Sequence, residues 1–206
     1  MSALSREVPI DPAHAALLII DVQNYCIGGR AGESEYFRRS LRDNVLPNIR
    51  SLQSACRRAG IEVVYSVIEN MTRDGRDRSL DYKISGIDVP RGSWDAQVLD
   101  DITPAGDEMI FRKTSSNVFI STNIDYVLRN LGVRSLIVAG VMTDQCVESA
   151  VRDACDLGYF VTLVTDACTT TSAERHEQSL IGIRGYCRQR STGAIITEIR
   201  APNGSN

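Results

Sequence analysis

An α/β architecture, in which helices enclose a parallel sheet on both faces, follows from two features of the chain. Apolar runs of strand length alternate with segments of helical period, and each intervening segment is long enough to return the chain for a parallel pairing. Strands joined in this way form right-handed βαβ units, and their sheet is buried on both sides. The chain has 206 residues, 43 % of them hydrophobic, which suffices for one core. No internal repeat divides it, so residues 1–206 are expected to form a single domain.

The first apolar run, AALLIIDV at 15–22, reads as a buried strand, and residues 45–58 as an amphipathic helix that ends near Gly60. EVVYSV at 62–67 is a second strand. A long polar stretch over 69–106 follows, with the chain's one Trp, and its part at 93–99 reads as a short helix. EMIFR at 108–112 is the third strand, 123–131 a helix closed by Gly132, and SLIVA at 135–139 the fourth strand. The helix at 143–157 ends at Gly158, FVTLV at 160–164 is a strand, 173–186 a helix, and 194–199 the sixth and last strand. Residues 201–206 read as a frayed tail.

Composition removes several classes of function. The formal charge is −3 and no run of Lys or Arg is long enough to track phosphates, so no nucleic-acid partner is expected. The apolar stretch at 15–20 is too short to span a bilayer and lacks a basic flank, so no membrane partner and a cytoplasmic location are expected. The six cysteines are scattered with no C-x-x-C pair, which reads as free thiols in a reducing compartment.

In open α/β sheets, ligands bind beyond the carboxyl ends of the strands, where the winding reverses. Three strand ends carry reactive side chains: Asp21 after the first, Lys113 after the third, and Cys146 in the helix after the fourth. With Thr143 as N-cap, Cys146 falls in the first helical turn, one residue before the apolar face of Val147, Ala150, Val151 and Ala154. The positive helix end favours thiolate there, and the first-turn N–H groups suit an oxyanion. Of the two histidines, His14 precedes the first strand and belongs at the opposite sheet edge, and His176 is expected on a helix surface. Asp21 is therefore the expected base for the thiol, with Lys113 balancing its charge.

Three segments, LLIIDVQN (17–24), FRKTSSNVF (111–119) and VAGVMTDQCVESAVRDA (138–154), make the chain similar to the isochorismatase-like cysteine hydrolases over residues 15–199. The resemblance implies a three-layer α/β/α sandwich with a six-stranded parallel sheet and a catalytic triad of Asp21, Lys113 and Cys146. It also implies a cis peptide between Val141 and Met142 that turns the N–H groups of Met142 and Cys146 toward an oxyanion. The family includes nicotinamidases, isochorismatase, and hydrolases of N-carbamoylsarcosine, ureidoacrylate and biuret. Nicotinamidases bind a metal through His residues after the second strand. Here that region reads SVIENMTRDGRD, so neither metal nor other cofactor is expected.

Cys146 favours attack on a carbonyl, which implies hydrolysis of a C–N bond in a small amide, ureide or carbamoyl compound. The alternatives are vinyl ether hydrolysis, which isochorismatases perform often without the Cys, and a non-catalytic oligomeric member. A homo-oligomer, dimer or larger, is implied by the relatives. Tyr25, Glu69, Trp94, Asn117 and Phe119 flank the strand ends and are the candidate substrate-binding residues. The segment at 72–83 reads equally as a lid, a solvated loop or an oligomer contact. Receiver-type and dehalogenase-type phosphotransfer lack the second acidic residue beside Asp21, and nucleotide binding lacks a G-x-G-x-x-G.

Overall fold

The computed structural model describes residues 5–200. Its sheet has six strands, β1 (Ala15–Ile20), β2 (Glu62–Ile68), β3 (Met109–Lys113), β4 (Ser135–Val141), β5 (Phe160–Thr169) and β6 (Arg188–Arg190). They lie in the order β3-β2-β1-β4-β5-β6, and every neighbouring pair is parallel. The main helices are α1 (Leu46–Ala59), α2 (Leu80–Ser85), α3 (Ile124–Asn130), α4 (Glu148–Asp156), α5 (Ala173–Ile183) and α6 (Thr192–Arg200).

The alternation of β1 builds the three layers. Leu17 and Ile19 pack on one side with Ile49 and Leu52 of α1 and Ile195 and Ile199 of α6. Ala16, Leu18 and Ile20 pack on the other with Leu128 of α3, Ala150 and Val151 of α4 and Ile183 of α5. All six residues of β1 are buried. Each fully buried Leu or Ile is worth about 1.5–3 kcal/mol, so this strand anchors both cores. α1 stops at Gly60, whose φ of 70° is a conformation that side chains resist.

The last strand is a correction. Residues 194–199 lie within α6, with Thr192, Ile195 and Ile199 buried at helical spacing, and the sixth strand is Arg188–Arg190. The run of Ile residues suggests a strand, but the edge position is held by a three-residue segment too polar to read as one. Arg188 is buried there because its Nε donates to Thr162 Oγ1 at 3.1 Å and its guanidinium meets Glu198 at 2.9 Å. The expected helix at 93–99 is likewise only a 3₁₀ turn at Trp94–Ala96.

The polar stretch after β2 is built rather than merely solvated. Asp77 accepts from the backbone N–H groups of Met71 and Thr72, and Arg78 donates to the carbonyls of Gly75 and Ile87. Ile68, Tyr82, Val89 and Ala96 form a small core beneath it. The tail at 201–206 lies outside the described residues. Among those described, no helix is long and apolar enough to cross a membrane.

Candidate active site

The winding reverses between β1 and β4, which are adjacent and end side by side, with Ile20 in register with Gly140. Gly140 has φ 126°, and a Cβ there would lie 2.2 Å from the carbonyl oxygen of Ile20. Only glycine lets the two strands close up at this point. The Val141–Met142 peptide that follows is cis. Asp21, the residue after β1, has φ 54°, a left-handed conformation that Asp tolerates better than most side chains.

Lys113 ends β3, two strands away from β1. Strands are spaced by about 4.8 Å, and the long Lys stem closes that gap below the end of β2. The ammonium is fully buried and lies 2.8 Å from Asp21 Oδ2. Its three protons have three well-directed acceptors: the Ser115 carbonyl at 2.8 Å, Tyr82 Oη at 3.0 Å and Cys146 Sγ at 3.4 Å. The Asp21 contact is therefore a charge pairing whose angle makes no hydrogen bond at Oδ2. Asp21 Oδ1 accepts from Ser66 Oγ at 2.8 Å. Oδ2 thus keeps a lone pair for the proton of the thiol.

Burial would disfavour the Lys113 ammonium, but the negative charge of Asp21 overrides it and raises its pKa above the ordinary lysine range. The Cys146 thiol behaves differently from the sequence expectation. Burial pushes it up to about 12; Lys113 opposes that shift and Asp21 reinforces it. The sulfur is too deeply enclosed for the helix start to hold it as a resting thiolate. Burial thus favours the protonated thiol over the thiolate.

The helix start also differs. Cys146 sits in a π turn, Thr143–Val147, ahead of α4, and the N-cap is Met142 with an extended backbone. Thr143 is buried inside the turn, and its Oγ1 lies 2.8 Å from His176 Nδ1. His176 is therefore half-buried against this turn rather than on the surface, and burial lowers its pKa. His14 pairs with Asp11 ahead of β1, at the other edge of the sheet.

A cleft of about 630 Å³ opens over these groups, lined by Asp21, Tyr25, Tyr82, Met142, Gln145 and Cys146 among others. A shallower groove of about 850 Å³ runs beside β3, lined by Met109, Arg112 and Ile120 among others, and none of Asp21, Lys113 and Cys146 lines it. Of the residues proposed from sequence to bind substrate, Tyr25 lines the cleft and the other four do not. Glu69 is buried, accepting from the Gly92 N–H and pairing with Arg112. Trp94 is 60 % exposed. Asn117 caps a helical turn by accepting from the Phe119 N–H and donates to the Ser149 carbonyl. Phe119 packs near the Tyr159 ring.

Sequence reasoning missed Ser66, Gln23 and Tyr82. Ser66, inside β2, reads as a strand residue. Gln23 knots the end of β1 to the inserted segment through Ile68 and the Asp95 carbonyl. Tyr82 lies in the segment that resisted assignment. Among the described residues, no three His, Cys, Asp or Glu side chains gather as a metal site.

Residues 15–198 match the Isochorismatase domain model. The chain belongs to the isochorismatase family. Among curated proteins, it is 29 % identical to the ureidoacrylate amidohydrolase RutB of Agrobacterium fabrum, over 96 % of this chain and 99 % of that one. It is 31 % identical to the RutB protein of Caulobacter vibrioides, with 81 % and 82 % of the two chains covered. These likenesses place it in the amidohydrolase branch of the isochorismatase family. A solved cysteine hydrolase from Pseudomonas syringae superposes with a TM-score of 0.84 at 25 % identity, over 98 % of this chain and 99 % of that one. The six-stranded α/β sandwich of the isochorismatase family is thus the fold of this chain.

Proposed function

We propose that the protein is a cysteine amidohydrolase that cleaves a C–N bond of a small ureide, carbamoyl compound or amide through a thioester on Cys146. The observation that carries this reading is the convergence of a buried ammonium on a carboxylate and a thiol that both line one cleft, with Lys113 Nζ 2.8 Å from Asp21 and 3.4 Å from Cys146. The amidohydrolase names of its relatives support the choice of bond.

Asp21 takes the thiol proton as the sulfur attacks the substrate carbonyl. The carbonyl oxygen gains the negative charge, and the backbone N–H groups of Met142 and Cys146 hold it. Collapse breaks the C–N bond, and Asp21 passes the proton to the departing ammonia or amine. Water, deprotonated by Asp21, then attacks the thioester and restores the thiol. Lys113 stays charged throughout, so the buried site never carries an unbalanced anion.

The test is an ammonia-release screen over ureides, carbamoyl compounds and carboxamides, combined with intact-mass detection of the acyl adduct. Cys146→Ala is expected to abolish turnover and the adduct while leaving the unfolding transition in place. Turnover near the wild-type rate in that variant would rule out the covalent route.

A further inference from the structure

We propose that Tyr82 is a hydrogen-bond donor to the sulfur of Cys146, so that the segment inserted between β2 and β3 completes the reactive centre. The inference deepens the cysteine-hydrolase reading and rests on Cys146 being the nucleophile.

The proton inventory carries it. Tyr82 is 1 % exposed, and its ring is held in the small core with Ile68, Val89 and Ala96. Its Oη accepts a proton from Lys113 Nζ at 3.0 Å. The hydroxyl's own proton is then free to turn to Cys146 Sγ, 3.9 Å away. Lys113 Nζ donates to the same sulfur at 3.4 Å, so two donor groups converge on it.

This arrangement answers a problem the burial creates. When Asp21 takes the proton, the sulfur becomes an anion in a nearly dry site, and it needs donors already in place. Lys113 supplies one from beneath the sheet end. Tyr82 supplies the second from the opposite segment, and burial keeps its phenol protonated and so able to donate. The 3.9 Å separation is long at rest and is expected to shorten as charge develops on sulfur. The same geometry gives the inserted segment a function: it brings a donor to the nucleophile, and Lys113 fixes the orientation of that donor.

Tyr82→Phe keeps the ring and removes the donor. Two rates test it: alkylation of Cys146 by iodoacetamide across pH 7–10, read by peptide mass, and turnover of the best substrate from the screen. A lost bond to a developing charge is expected to slow alkylation about three- to tenfold at each pH and to lower kcat with little change in KM. Val89→Ala is the packing control, because Val89 is fully buried in the same small core and does not line the cleft. It is expected to alkylate at the wild-type rate. Wild-type alkylation in Tyr82→Phe would overturn the proposal, and so would equal slowing in both variants. Alkylation does not require hydrolysis, so the role of Tyr82 is tested even if the chain hydrolyses none of the screened compounds.

Discussion

Lys113→Met removes a fully buried ammonium from beside Asp21 and leaves the rest of the stem in place. Asp21, whose side chain is 5 % exposed, then has no counter-charge. Breaking a buried pair from one side costs about 3–5 kcal/mol, because the remaining ion is buried and uncompensated. For a chain of this size each kcal/mol moves Tm by roughly 2–4 °C, so a fall of about 6–20 °C is expected in thermal melts followed by circular dichroism. The source of that loss is separable. Asp21→Asn in the Lys113→Met background removes the orphan charge, and the double variant is expected to regain at least half of the lost stability. Arg42→Ala, at a fully exposed pair with Asp43, is the control and should leave Tm unchanged. A Lys113→Met protein as stable as wild type, or a double variant no better than the single one, would refute the buried-pair reasoning.

Two further outcomes follow from the geometry. Gly140→Ala forces a Cβ against the Ile20 carbonyl at a left-handed φ and is expected to cost on the order of 3 kcal/mol in urea denaturation, opening the seam between β1 and β4. The buried thiols give a pH signature: Cys168 and Cys146 are both pushed up from 9.0 to about 12, chiefly by burial. The folded state therefore holds these protons more tightly than the unfolded one. Their contribution to stability is complete below pH 9 and is lost as pH rises from there toward 12. Cys168→Ala should flatten the alkaline limb of a stability-against-pH curve, and an unchanged slope would contradict the assignment.

The sheet was legible because burial on both faces leaves strong marks. AALLII, EVVYSV and SLIVA are predominantly apolar runs, and each is a strand close to its expected bounds. Asp21 and Lys113 stood out because they interrupt or end such runs where a parallel sheet places ligands. Arg188–Arg190 left no such mark. A strand of three polar residues at a sheet edge is stabilised by partners such as Thr162 and Glu198, which are distant in sequence. The Ile run after it satisfies a helix as well as a strand, and packing on α1 and β5 decided for the helix.

By itself the sequence determined the parallel architecture, the strand ends at which chemistry belongs, and the three residue types gathered there. These are local matters: hydrophobic periodicity, chain reach and the position of a charge after an apolar run. Tertiary structure alone decided the burial of the sulfur, the partner of Thr143, and the arrival of Tyr82 from the inserted segment. Those properties depend on how deeply each group is removed from water and on which distant atoms face it, and neither is written in the order of the residues.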